Sequence, residues 1–398
     1  MRRAPDGGER RLDRRRFLGA ALGGGVCGAA WLAGWGPAAA GTRGDRAAGS
    51  APAGEPATPA RGGCDEARAV ARRHIQTHCC RLDFPNGAIH AVRALGREAP
   101  LGAGDPFQLV LERFVVENWV AQRGFLEVPV EREGHRNAML KTLLEAGCEP
   151  DLEFSVQGRR HRFADVIESA RLLAAYPGNL DIDEQSWTII ALSRVVPAGR
   201  GRWTNVHGQI VDLGVMIDDT SVALERDTAL VREIDLRQAD PPRDCPALSR
   251  ACGGLHMLYA LAAACASGYA TPARRAALAG HLRTAVLRLT YDESVIASVE
   301  RQNTRRAGAE AAHAVAFDAR VKLLGHLLET FGVVDQHRLY TFMPHERREI
   351  DAARARLCAV LGASREFRFE RYRSDHDLYE SLTTGVCHAY NGLRLSPA

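Results

Sequence analysis

From about residue 64 onward, apolar residues recur mostly at helical spacing. Phe163, Val166, Ile167, Ala170 and Ala174 mark an amphipathic helix that runs to Tyr176 and stops at Pro177-Gly178. Phe317, Val321, Leu324, Leu328 and Phe331 form the cleanest stripe, closed by Gly332. Ile350, Ala353, Leu357 and Val360 repeat the pattern between Pro344 and Gly362. Ser374 and Asp377 have the form of a capping box that opens a last helix through Tyr390. Trp187 to Val196 and Leu255 to Ala266 differ, being apolar nearly all round, which predicts helices buried among other helices. The second is too short for a membrane span and carries His256. Strand signals are few. Residues 154–156 and 161–163 flank Gln157-Gly158-Arg159-Arg160 and predict a hairpin near 153–163, and Leu126 to Val130 alternates weakly around Pro129.

The expected fold is therefore mainly α, a multi-helix domain of helical hairpins with one small β-hairpin. Buried helices alternating with amphipathic ones fit a two-layer α/α toroid, and a plain bundle fits them too. No repeat at fixed spacing stands out. In architecture alone the pattern resembles polysaccharide lyases, some glycosidases and terpene cyclases, and no motif of those families is matched. Residues 64–396 are expected as a single large helical domain, with 148–180 as the place for any sub-boundary. Residues 41–63, dominated by Gly, Ala, Pro, Thr and Ser, read as a disordered linker.

The first forty residues carry an address. Arg14-Arg15-Arg16-Phe17-Leu18 precedes a glycine-rich apolar run from Ala20 to Trp35 and then Pro37-Ala38-Ala39-Ala40-Gly41. A basic head, an apolar middle and a small-residue exit describe a signal peptide. The Arg14, Arg15, Phe17, Leu18 core resembles the twin-arginine consensus. Ala38 and Ala40 suit cleavage before Gly41. The resemblance implies residues 1–40 as signal, the twin-arginine translocase as partner during export, and a periplasmic or secreted mature protein. An uncleaved signal would leave an inner-membrane tether. It also implies cargo that folds before crossing, often with a cofactor.

Charge changes the picture once the signal is set aside. The chain has 52 Lys+Arg and 48 Asp+Glu. Residues 1–40 hold seven of the first and three of the second, which leaves 45 of each. A neutral mature chain argues against a nucleic-acid partner. Lysine occurs only at Lys141 and Lys322, so the arginines read as compositional bias rather than as phosphate recognition. Nine cysteines follow the signal, an odd number, in a chain whose destination allows disulfides. Cys265 and Cys358 are expected as small core residues, and Cys245 and Cys252, which flank a loop and a helix start, could pair. No motif supports a cofactor: Cys-x-x-Cys, His-Glu-x-x-His, the nucleophile elbow and the phosphate-binding glycine loop are all missing from the sequence. His74 and His78 stand four apart on a helix without a third ligand in evidence, so no metal is expected there. His326, with Lys322 and Glu329, falls on the polar side of its helix and is expected to be solvated.

Candidate chemistry gathers between Asp181 and Glu225, where acids, amides, a histidine and two tryptophans share a segment of little periodicity. Glu184 with Asp218 or Asp219 could act as a carboxylate pair in glycoside hydrolysis. Asp183 and Asp219 equally suit helix N-caps. His207 with Tyr259, beside a neutralising Asn205, would suit a lyase-type site. Trp187 and Trp203 could stack on sugar rings, and His256, after Gly253-Gly254, could meet a ligand at a helix start. The expectation is an exported periplasmic or envelope protein that binds a partner or serves as scaffold. The alternative is a hydrolase or lyase acting on a carbohydrate or envelope polymer, on an α/α scaffold.

Overall fold

A computed structural model describes residues 61–120, 122–176, 182–234 and 245–396. The expected signal peptide and nearly all of the expected linker lie outside these residues. Arg61 already opens the first helix, so helix begins slightly before the expected linker end.

Among the described residues, twelve helices of eight residues or more carry the architecture: α1 (Arg61–His78), α2 (Pro85–Leu95), α3 (Pro106–Phe114), α4 (Ala138–Glu145), α5 (Phe163–Leu173), α6 (Gln185–Val195), α7 (Leu213–Thr228), α8 (Leu255–Ala264), α9 (Pro272–Ala307), α10 (Ala309–Gln336), α11 (Pro344–Ala363) and α12 (His376–Leu395). The even-numbered helices pack side by side in a closed cycle: α2 on α4, α4 on α6, α6 on α8, α8 on α10, α10 on α12, and α12 back on α2. The odd-numbered helices lie outside them, α7 against α6 and α8, α9 against α10, α11 against α10 and α1, and α1 against α12. The chain thus alternates outer and inner helix around a ring.

The ring explains the sequence pattern. Helices α6 and α8 are apolar on most sides because neighbours surround them, and every residue of α8 is buried. The outer α5 keeps a wet face and the amphipathic stripe that goes with it. Where α10 crosses α12 the backbones nearly touch. A Cβ on Gly392 would lie 2.6 Å from the Gly325 carbonyl oxygen, and one on Gly325 would lie 2.7 Å from the Ala389 nitrogen. Only glycine permits that approach.

Among the described residues, three two-stranded antiparallel hairpins decorate the ring. β3 (Glu153–Val156) and β4 (Arg159–Arg162) form the expected one. β1 (Val116–Val120) with β2 (Arg123–Glu127), and β5 (Arg202–Thr204) with β6 (Ile210–Asp212), were not expected as hairpins. The weak alternation around Pro129 belongs partly to β2, which ends at Glu127 before the proline removes a donor.

Several local expectations are corrected. Asp218 and Asp219 sit within α7, whose N-cap is Asp212, accepting from the Val215 amide at 3.2 Å. Asp183 accepts from the Ala251 amide at 2.7 Å and so pins a distant loop. The last helix is capped by Asp375, which accepts from the Leu378 amide at 3.2 Å. Cys358 is not a lone core residue. It is disulfide-bonded to Cys64, 294 residues away. Cys245 does not pair with Cys252: its thiol is buried and donates to the Asp227 carbonyl at 3.4 Å. Cys387 and Cys79 lie with their sulfurs 3.8 Å apart where α12 meets α1.

Candidate functional site

The inner helices turn a second set of side chains toward the ring axis, and these are polar. α2 supplies His90 and Arg93, α4 supplies Lys141 and Glu145, α8 supplies His256 and Tyr259, α10 supplies His326 and Glu329, and α12 supplies His388. Arg93 is the hub. Its Nε donates to Glu145 Oε2 at 2.7 Å, and its Nη1 reaches Glu329 Oε1 at 2.9 Å and His388 Nδ1 at 3.1 Å. Arginine only donates, so His388 Nδ1 accepts and the proton of the neutral ring sits on Nε2. Lys141 Nζ lies 3.4 Å from Glu145 Oε2, and the Tyr259 hydroxyl donates to Glu145 Oε1 at 2.6 Å. His326 Nδ1 faces Glu329 Oε2 at 3.3 Å.

These charges are out of water. The Arg93 and Glu145 side chains are 6% and 7% exposed, and that of Glu329 is fully enclosed. Burial opposes ionisation of Glu145, but Arg93, Lys141 and Arg194 outweigh it and hold the carboxyl at about 2. The same contest, with Arg93 foremost among the opposing groups, keeps Glu329 low. Burial, with Arg93 alongside, brings Lys141 down to about 8. Burial lowers His256, His326 and His388, so all three rings are neutral at pH 7.

An unbroken line of rings leads from this centre toward one end of the ring. His388 lies 3.8 Å from His326 between centroids, His326 lies 4.4 Å from His256, and His256 lies 4.4 Å from Trp187. Trp187 stacks on His135 at 3.7 Å, and His135 Nδ1 meets Glu184 Oε1 at 2.8 Å. Here α4, α6 and α8 present their N-termini, and the Glu184 side chain is 22% exposed. Burial raises Asp183, one residue before Glu184, to about 6. A cavity of about 240 Å³ adjoins this end, lined by Glu133, Arg136, Asn137 and Met139 among others. Glu133 accepts from the amides of Asn137 and Met139, each at 2.8 Å, yet burial pushes it up to about 8.

The residues singled out from sequence divide into two groups. Glu184, Trp187, His256 and Tyr259 belong to the axial site or its mouth. The others lie elsewhere. His207 is exposed in the β5–β6 turn, where Asn205 Oδ1 accepts from the amides of His207 and Gln209. Asn205 Nδ2 donates to the Ala174 carbonyl at 2.9 Å, so this side chain braces the turn. Trp203 is buried, its Nε1 donating to the Arg171 carbonyl at 2.7 Å. Asp218 is clamped by Arg274 at 2.7 and 2.9 Å, and Asp219 accepts from the Tyr176 hydroxyl. Both tryptophans are enclosed, and neither presents a free face for stacking on a sugar.

His326 and Glu329 correct the expectation of a solvated face. The polar side of α10 points inward to the axis, and both residues are buried. His74 and His78 are also accounted for, by the Ser364 carbonyl at 3.0 Å and the Tyr379 hydroxyl at 3.2 Å. One sequence signal could have found the axis. Gly87-x-x-His90-x-x-x-Ala94-Leu95, Gly253-x-x-His256-x-x-x-Ala260-Leu261 and Gly385-x-x-His388-x-x-x-Gly392-Leu393 repeat one pattern along three inner helices, in the second case starting just before α8. It recurs at unequal intervals, so a search for a fixed period passes over it. Comparison of the chain with protein-family models, with curated proteins and with solved structures finds no match.

Proposed function

We propose that the protein is an exported enzyme and that its active site is the axial cluster. The observation that carries this reading is convergence. Five of the six inner helices bring imidazole, carboxylate, cationic or phenolic groups to one place away from water. Stability alone does not call for such a set, because apolar residues of equal volume serve about as well as buried ion pairs. The export half of the reading is supported by the twin-arginine resemblance of Arg14, Arg15, Phe17 and Leu18. The reaction class that fits an envelope destination and a helical ring is hydrolysis or elimination on a carbohydrate or envelope polymer, with a chain end entering beside His135 and Glu184. Tyr259, hydrogen-bonded to Glu145, is the proton donor in this reading, and Arg93 and Lys141 stabilise negative charge.

The test is turnover of glycan and peptidoglycan fragments by the mature protein. Tyr259→Phe is expected to lower the rate by roughly 100-fold or more without unfolding the protein. His207→Ala and Asp218→Ala are expected to leave it unchanged. The opposite pattern would move the active site to the 181–225 segment. No turnover on any fragment would leave the binding-protein reading, which one observation favours. Trp119, on the β1–β2 hairpin, is 62% exposed, whereas tryptophan is on average a well-buried residue. Loss of partner binding in Trp119→Ala would support that reading.

A further inference from the structure

We propose that Cys252, His256 and His326 form a site for one divalent transition-metal ion, with zinc the ion that suits the donors. The proposal rests on the axial site described above and adds an occupant to it. The ligand atoms of the three residues lie within 4.8 Å of one another. A tetrahedral zinc ion with bonds of about 2.0–2.3 Å spaces its ligands roughly 3.3–3.6 Å apart, so closing on the ion requires only small side-chain rotations. A thiolate and two imidazoles are the mixed soft and borderline set that zinc prefers over magnesium or calcium. Three protein ligands leave a fourth position open, the arrangement of a catalytic rather than a structural zinc.

Two further observations point to a ligand. His326 Nε2 is buried and has no hydrogen-bond partner among the described residues, in a side chain only 2% exposed. Its Nδ1 faces Glu329, and Arg93 holds Glu329 in turn. A carboxylate behind one nitrogen, with the other left without a hydrogen-bond partner among the described residues, is the arrangement that orients a metal-binding histidine. The backbone presents the thiol by an unusual route. Cys252 has φ 47° and ψ 36°, and Gly253 and Gly254 follow at φ 67° and 73°. Three left-handed residues in a row coil the chain just before α8 and bring Cys252 beside His256. A side chain at Gly253 would strike Arg288, its Cβ lying 2.6 Å from Nη2.

A neighbouring set, His326, Glu329 and His388, also has its ligand atoms within 4.8 Å of one another. It is the poorer site, because Arg93 Nη1 already binds both Glu329 and His388 Nδ1 and would repel a second cation. The two sets make different predictions, which the experiment uses.

Metal-free mature protein is titrated with Zn²⁺ against a chromophoric chelator, and separately with Co²⁺ while recording absorption. One equivalent of zinc is expected to bind. Cobalt is expected to give tetrahedral d–d bands and a thiolate charge-transfer band. Cys252→Ser and His326→Gln should each weaken zinc by at least roughly 100-fold, Glu329→Gln by about 10–100-fold, and His388→Gln by no more than a few-fold. Cys252→Ser should abolish the charge-transfer band, whereas Glu329→Gln should keep it. Circular dichroism checks that each variant folds, and the change at Cys252, which lies in a turn and is only partly buried, guards against failure of the buried variants. Absence of stoichiometric zinc binding by the wild-type protein, or full affinity in Cys252→Ser, overturns the proposal. So does loss in His388→Gln with retention in Cys252→Ser, which would place the ion at Glu329. The readout is equilibrium binding. Zinc bound without turnover would therefore refute the enzyme reading alone, and turnover by zinc-free protein would show the reaction independent of an ion that the binding arms test by themselves.

Discussion

The charge balance at the axis can be tested by removing its hub. Arg93 and Lys141 supply two positive charges, and Glu145 and Glu329 two negative ones. Arg93→Met keeps much of the side-chain volume and removes one cation. Glu145 would retain Lys141 and Arg194 at 3.4 Å each and the Tyr259 hydroxyl at 2.6 Å. Glu329 would keep the imidazoles of His326 and His388, at 3.3 and 3.5 Å, and the more distant Lys141, in full burial. Leaving one member of a buried pair uncompensated costs about 3–5 kcal/mol. For a domain of this size that corresponds to a fall in Tm of about 4–7 °C. The assay is urea unfolding followed by circular dichroism at pH 7 with chelator present, so that no ion contributes. Arg93→Met/Glu329→Gln restores neutrality and is expected to recover about 1–3 kcal/mol relative to the sum of the single changes. A single variant within about 1 kcal/mol of wild type, or a double variant that is merely additive, would refute the account of Arg93 as the ion holding Glu329.

Two further outcomes follow from other parts of the ring. His78 is buried against Phe369, His74 and the Tyr379 hydroxyl, with Glu370 and Arg373 the charged groups facing it, and burial lowers it to about 4. The unfolded chain therefore takes up this proton near pH 6.5 while the folded chain resists until about pH 4, so stability falls as pH drops through that window. Allowing for screening, the loss is about 2 kcal/mol. His78→Asn should lack this component, and urea midpoints from pH 7 to 4 that run parallel in the two proteins would contradict it. Gly392→Ala must force α12 away from the Gly325 carbonyl and is expected to cost about 1–3 kcal/mol. Gly362→Ala, which meets nothing within 4 Å, should instead gain up to about 1 kcal/mol, and thermal melts that fail to separate the two would remove the close-packing argument.

Helix periodicity made much of the ring legible. The stripes of α5, α10 and α11 and the all-round apolar α6 and α8 follow directly from what each helix touches. The axial site was hidden by the same rule. His326 and Glu329 look like a wet face because polar residues at helical spacing ordinarily face water, and only ring closure turns that face inward. Asp218 and Asp219 misled in the opposite sense. They lie in a run of polar residues that is the outer face of α7, where Arg274 and Tyr176 hold them. The strands of β1–β2 do not alternate between buried and exposed positions, and those of β5–β6 are only three residues long, so neither shows a period of two in the sequence. Cys64 and Cys358 meet because α1 packs on α11, a contact that no local spacing encodes.

That last contact alters what a break in the chain would do. The Cys64–Cys358 bond spans 294 residues and joins the first outer helix to the last. The polypeptide between them is a covalent loop that runs through nearly the whole ring. A protease that cuts once in any connection inside the loop opens the circle but leaves both halves attached to the same molecule. The wound ring then has every reason to stay assembled until a reductant reaches the seam, so a single nick and a single reduction are each survivable, and only the two together release a fragment.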